Sequence, residues 1–378
     1  MEKNKISIDK QKTMETIRNL SEECINCGKC KRECSLLSGF SVKPGELFKN
    51  LLEDRKIDPL IPYSCNTCSL CLKVCPKNLN IGDAFLEIRK ELAEKNGGTS
   101  PLKGHNSVHL HQKLSFSSLF NKVIKDEKAE KVTRIFMPGC SLCSYSPELV
   151  FKTFEYLKEK LPGTAMVIKC CGKPTAAIGE GELFKNRYEK LQRTIEELNV
   201  EEIITACQSC FVTISENSPK LKVKSLWTVF KELGIPESSR NIGKDSDIVF
   251  AIHDSCPTRD EKELQDSVRW IIDQLGYKVE ESEHSKEKTR CCGNGGMVFT
   301  VNRELTSKVV NKAVEEVKSD YIVTYCASCR ESMLKGNKNT LHILNLIFDE
   351  RWTSIKKSLQ STSLMKNWSN RYKVKMGK

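Results

Sequence analysis

The sequence predicts an α+β multidomain protein: a mostly helical, cysteine-rich domain followed by tandem duplicated α/β domains of βαβ type. Three observations carry that prediction. Two cysteine runs, Cys24, Cys27, Cys30, Cys34 and Cys65, Cys68, Cys71, Cys75, share the spacing C-x2-C-x2-C-x3-C and are flanked by stretches apolar at helical spacing. Further on, a single cysteine, an adjacent pair followed by glycine, and a C-x2-C occur twice: Cys140, Cys170-Cys171-Gly172, Cys207 and Cys210; then Cys256, Cys291-Cys292-Gly293, Cys326 and Cys329. Equivalent cysteines lie 116, 121 and 119 residues apart, the mark of a duplicated unit. Short apolar runs alternate with helical stretches inside each copy, as in βαβ units.

In chain order, residues 1–100 form the predicted helical domain. Glu46–Leu52 and Asp83–Arg89 supply its clearest helical patterns. Gly97-Gly98-Thr99-Ser100-Pro101 breaks the pattern and sets a domain boundary, after which 101–131 reads as a linker or docking segment. The first repeat is assigned 132–245 and the second 246–350. The apolar runs Arg134–Met137, Glu202–Thr205, Ile248–Ala251 and Tyr321–Thr324 read as buried parallel strands, each just before a cysteine. Helical stretches lie between them at Leu149–Leu161, Lys185–Leu198, Glu261–Leu275 and Arg303–Val317. The cysteines thus fall at strand ends, where open α/β sheets collect ligands. Gly172 and Gly293 would let backbone approach a cofactor closely.

No apolar run is long enough to span a bilayer, and the N-terminus lacks a secretory core, so the expected location is cytoplasmic. Nineteen cysteines in a reducing cytosol point to metal or redox chemistry rather than disulfides. The C-x2-C-x2-C-x3-C run is that of bacterial two-cluster ferredoxins, in which the distant fourth cysteine serves the other cluster. Cys24, Cys27, Cys30 and Cys75 are therefore assigned to one [4Fe-4S] cube, and Cys65, Cys68, Cys71 and Cys34 to the other. Ser35 stands where proline often follows the run. Zinc takes four ligands in all and has no use for a third cysteine at this spacing. In the repeats, neighbouring cysteines on extended backbone point to opposite sides, so Cys291 and Cys292 fit different irons of a larger cluster better than one small ion. Five ligands also exceed the zinc count.

These motifs resemble a known family. Cys140, Cys170-Cys171-Gly172 and Cys207-x2-Cys210, with Cys256, Cys291-Cys292-Gly293 and Cys326-x2-Cys329, are similar to the paired CCG motifs of heterodisulfide reductase catalytic subunits. The N-terminal eight cysteines resemble the electron-delivering subunit of the same enzymes, here fused. The resemblance spans about residues 15–345 and takes in every cysteine but Cys143. It implies two noncubane [4Fe-4S] clusters, each on one five-cysteine motif, facing a common cavity and splitting a disulfide one electron at a time. The cluster ligands would then be the reactive set: Cys140, Cys170, Cys171, Cys207, Cys210, Cys256, Cys291, Cys292, Cys326 and Cys329. The same modules resemble iron-sulfur subunits of anaerobic glycerol-3-phosphate dehydrogenase and of glycolate or lactate oxidation systems, where the implied role is non-catalytic electron transfer.

The expected function is that of an iron-sulfur oxidoreductase: two cubanes relay electrons to CCG-motif clusters that reduce a disulfide or similar acceptor. The alternative is an electron-transfer subunit of a flavin-linked dehydrogenase. Gly293-x-Gly295-Gly296 lacks the spacing of a dinucleotide loop, so no FAD or NAD is expected on this chain and electrons come from a flavoprotein partner. The formal charge of +12 counts every thiol as neutral. Cubanes at about −2 each would cancel much of it. Without a binding motif the remainder gives no ground for nucleic acid. Residues 351–378 hold eight Lys or Arg and no Asp or Glu. With Trp352, Trp368 and Tyr372 among them, this tail could contact an acidic partner or a membrane surface, though a solvated end is the plainer reading. Cys143 reads as a packing residue or idle thiol. His105, His109 and His111 read as surface or packing histidines, and His253 as a structural histidine at a strand end rather than a donor to a cluster sulfur or a substrate.

Overall fold

The computed structural model of the chain describes residues 5–348 and 359–377. Its α+β fold divides into two units, each assembled from three separate stretches of chain. The first takes Met1–Gln112, Gly172–Asn186 and Glu287–Ala313, and the second takes Lys113–Cys171, Arg187–Lys286 and Val314–Lys378.

The first unit is helical apart from a small antiparallel pair, β1 (Ile6–Ser7) and β2 (Lys56–Ile57). Its long helices are Gln11–Glu23, Pro44–Asp54 and Ile81–Lys95. Pro44 opens its helix at a position where a missing N–H costs nothing, and Asn80 caps the next by accepting from the Gly82 N–H. Their apolar faces bring Ile17, Leu20, Phe48, Phe85, Ile88 and Leu92 into one core. Arg89 lies in it fully buried, and among the described residues its guanidinium donates only to backbone carbonyls: Pro62 at 2.7 and 2.9 Å, Cys65, Ala177 at 2.5 Å and Gly296 at 3.3 Å. A buried cation is tolerated when such dipoles satisfy it, and here they come from all three stretches of the unit.

The second unit contains the two larger sheets. Five strands run in the order β3-β5-β4-β6-β7: β3 (Lys122–Ile124), β4 (Arg134–Met137), β5 (Thr164–Ile168), β6 (Glu202–Thr205) and β7 (Lys222–Ser225). All pairs are parallel except β3 with β5. The second sheet is wholly parallel, in the order β11-β10-β8-β9: β8 (Val249–His253), β9 (Lys278–Glu280), β10 (Tyr321–Thr324) and β11 (Asn339–His342). Leaving out β3, the two orders superimpose strand for strand, so the duplication read from cysteine spacing is a duplication of topology. The strands β4, β5, β8 and β10 are buried on both faces, which is why they read as continuous apolar runs. One core joins the repeats around Trp227, Phe230, Phe250 and Tyr325.

Two expectations change. Residues 101–131 are not plain linker, because they contain the helix Asn106–Ser115 and the strand β3. The described part of the basic tail is not a solvated end. It is a helix, Leu364–Met376, capped by the Ser363 hydroxyl and packed on the helices Cys140–Tyr145 and Pro147–Lys160 through buried Asn370, Arg371 and Val374. Its charges concealed a buried stripe. The Trp368 ring is tilted against that of Phe120 with centroids 4.7 Å apart, while Trp352 lies outside the described residues. No helix among the described residues is long and apolar enough to cross a membrane.

Candidate metal centres

The first unit brings the ferredoxin-type cysteines together across the two runs. Cys34, Cys65, Cys68 and Cys71 line one cavity of about 50 Å3. The Cys65 thiol is pushed up to about 12 by burial, with Cys34 and Cys68 adding repulsion; Cys71 is raised by burial and by Cys65. Burial, and then the neighbouring Cys24, Cys75 and Cys27, push the Cys30 thiol up to about 11. Each run thus contributes its last cysteine to the other group, which is the interleaving that the spacing implies. Close-set soft thiols that resist ionisation alone suit a cluster, whose irons supply the positive charge they lack. The Thr67 N–H already points at the Cys65 sulfur at 3.4 Å.

The same cavity has a further wall. Arg290, Cys291, Val309 and Lys312 complete it, so a cysteine of the second CCG motif faces the space enclosed by ferredoxin-type cysteines. Local bonds hold the motif there. Arg290, preceding Cys291, pairs with the Glu33 carboxylate at 2.7 Å and donates to the Glu33 carbonyl at 3.0 Å, and Glu33 precedes Cys34. Asn66, following Cys65, donates to the carbonyls of Gly293 and Gly295 at 3.1 and 3.0 Å. A Cβ on Gly296 would come within 2.3 Å of the Cys65 carbonyl oxygen, and one on Gly295 within 2.5 Å of that of Asn66. These glycines let backbone approach backbone. Gly293 is tight against Val310, where a Cβ would sit at 2.8 Å.

In the second unit the first five-cysteine set gathers at the carboxyl ends of β4, β5 and β6. Cys140 follows β4 and hydrogen-bonds with Cys170, while Cys171 meets Cys210, which also contacts Cys207. The adjacent pair therefore serves two directions, as extended backbone requires. Contact with Cys170, then burial, holds the Cys140 thiol well above its ordinary range; Cys171 does the same for Cys210. Gly139 has φ +82, and a Cβ there would lie 2.5 Å from the Cys207 Cβ, so only glycine lets these limbs converge. An all-thiol set of five in this space fits an iron-sulfur cluster.

Of the second set, Cys256, Cys326 and Cys329 lie in this unit, whereas Cys291 and Cys292 belong to the first. Cys326 is at the N-terminus of the helix Ala327–Lys335, as Cys207 is for Gln208–Asn217. A hydrogen bond from Cys329 draws the Cys326 thiol down to about 6, helped by the Cys329 and Ser328 N–H groups at the helix start. His253 ends β8 with a ring nitrogen within 4.8 Å of the Cys329 sulfur, and its buried Nε2 has no hydrogen-bond partner among the described residues. Burial holds its pKa down at about 4. His105 is structural: it is buried, with Nδ1 2.6 Å from the Ser100 hydroxyl. His109 pairs with buried Glu180. Cys143 is a core residue, 1% exposed, with its thiol pushed up to about 12 by burial.

Comparison with known proteins agrees with this inventory. Residues 19–79 match the 4Fe-4S dicluster domain, and residues 135–215 and 250–334 each match the cysteine-rich domain called CCG. The chain joins one 4Fe-4S dicluster domain to two CCG domains. It is similar to one of the subunits of the fumarate reductase (CoM/CoB) of Methanothermobacter marburgensis, at 23% identity over 86% of this chain and 70% of that one. It is likewise similar to one of the subunits of the dihydromethanophenazine:CoB–CoM heterodisulfide reductase of Methanosarcina acetivorans, at 24% identity over 83% and 88%. Among solved structures, glutamate racemase RacE1 of Bacillus anthracis covers 66% of this chain and 95% of its own at 10% identity. Its TM-score of 0.29 is too low to bear on the fold. The dicluster and CCG domains mark the chain as an iron-sulfur protein with the domain make-up of a 4Fe-4S carrier, similar to subunits of the heterodisulfide reductase and fumarate reductase (CoM/CoB) kind.

Proposed function

We propose that this chain passes electrons from two cubane clusters, on Cys24, Cys27, Cys30, Cys75 and on Cys34, Cys65, Cys68, Cys71, to clusters on the two CCG sets. There a disulfide or similar acceptor takes up two electrons and two protons and leaves as two thiols. The observation that carries the reading is Cys291 lining the cavity of Cys34, Cys65, Cys68 and Cys71, since a shared wall gives an electron a short path between sites. When bound, the clusters supply one-electron steps, and the protein fixes their spacing and keeps water out. Donor electrons come from a flavoprotein partner in the cytoplasm, and the chain itself binds neither FAD, NAD nor nucleic acid. A second reading, a relay subunit that hands electrons on without reducing a substrate, is favoured by relatives that are named as subunits.

Iron analysis of anaerobically prepared protein should give about sixteen irons per chain, from four clusters of four. Replacing Cys291 and Cys292 with alanine should abolish disulfide reduction while leaving the cubane signals in place. Full disulfide reduction by that variant, with Cys27→Ala inactive, would overturn the catalytic assignment. Co-purification with an FAD protein and no turnover of any disulfide would select the relay subunit.

A further inference from the structure

We infer that Arg371, carried by the C-terminal helix, is a positioning residue for the first five-cysteine set, where its guanidinium balances the negative charge of a bound cluster and raises that cluster's reduction potential. The inference rests on the proposed cluster at Cys140, Cys170, Cys171, Cys207 and Cys210.

Arg371 is 3% exposed, and its Nη2 lies 3.8 Å from the Cys140 sulfur. Nη1 donates to the Ser115 hydroxyl at 3.0 Å, and the guanidinium lies 4.5 Å from the Trp368 ring centroid and 5.6 Å from that of Phe120. Two aromatic faces and a hydroxyl orient the planar head and leave one edge toward the sulfur. The neighbouring residue clamps the helix: the Asn370 amide donates to the carbonyls of Ser144 and Tyr145 at 2.7 and 3.2 Å. Those carbonyls end the short helix that begins at Cys140, where backbone acceptors lack intrahelical partners. The clamp therefore fixes Arg371 relative to Cys140.

Arginine stays protonated in proteins, so its charge is permanent. Cluster potentials respond to net charge, hydrogen bonds to sulfur and solvent exposure, and Arg371 acts through the first two. A nearby cation favours the more negative, reduced state. The helix lies beyond the duplicated segment and packs on elements of the first repeat, so duplication alone does not supply this cation to both sets.

Potentiometric EPR on the full-length, iron-loaded protein tests this with Arg371→Gln, Arg371→Lys and, on the exposed side of the same helix, Lys373→Gln. In Arg371→Gln the reduced-to-oxidised ratio of one cluster at fixed potential should fall about tenfold, equivalent to ~59 mV for a one-electron couple. Arg371→Lys should shift less and Lys373→Gln not at all. Loss of that signal in the glutamine variant but not in the lysine variant would also support the charge role. Unchanged midpoints at unchanged iron content in Arg371→Gln would overturn it, as would equal loss of the cluster in both Arg371 variants. If the unmutated protein holds only about eight irons, the cubane pair alone, the underlying cluster reading fails and this inference fails with it.

Discussion

Asn66 uses both amide hydrogens on the carbonyls of Gly293 and Gly295, so a single side chain joins the residue after Cys65 to the loop after Cys292. Replacing it with alanine should cost about 1–3 kcal/mol, because acceptors in a nearly dry site lose their donor. Asn66→Asp should cost more, since a carboxylate has no hydrogen to give and repels both carbonyls. Anaerobic unfolding of the iron-loaded protein measures the difference, and equal stability of the three forms would show the bonds to be incidental. Arg290 and Glu33 make the matching tie on the other side of the cavity, from the residue before Cys291 to the residue before Cys34.

Strands and cysteines were the legible elements. Arg134–Met137, Glu202–Thr205 and Tyr321–Thr324 occur where the sequence placed them, because strands covered on both faces cannot conceal their apolar character. The eight ferredoxin-type cysteines stood out for a similar reason, since thiols at a repeated close spacing have few structural uses. What sequence reasoning missed was polar. Asn370 and Arg371 lie in a run of basic residues where burial leaves no periodic apolar signal, and Arg89 looks like any helical arginine. Gly139 was passed over because glycine before a cysteine is common, and its reason appears only where two strand ends converge. Gly139→Ala should force a left-handed φ costing roughly 1–2 kcal/mol, besides the clash with Cys207. The expected result is loss of about four irons per chain, one cluster's worth, with the cubane EPR signals intact. Retention of full iron would mean that the limbs adjust.

At the scale of the whole molecule, sequence order and spatial grouping part company. The first unit needs residues 172–186 and 287–313 as well as 1–112. A fragment of residues 1–112 lacks the Ala177 and Gly296 acceptors of Arg89, the Ile178 carbonyl that Tyr63 donates to, and the wall made by Arg290, Cys291, Val309 and Lys312. That fragment should take up iron poorly at Cys34, Cys65, Cys68 and Cys71, and its cluster there should bleach faster in air than that of the full chain. Equal uptake and equal lifetime would show that the N-terminal segment is self-sufficient.

The late position of that wall bears on synthesis. A ribosome makes Cys34, Cys65, Cys68 and Cys71 more than two hundred residues before it makes Arg290 and Lys312. For most of translation, then, the thiols are present and their cover is not. At roughly 5–20 residues per second the interval lasts tens of seconds. A cluster inserted early would meet oxygen and stray thiols during that time. Insertion after release would find the pocket closed by Glu33–Arg290 and Asn66–Gly293. Maturation of this site is accordingly a matter of timing as well as of ligands.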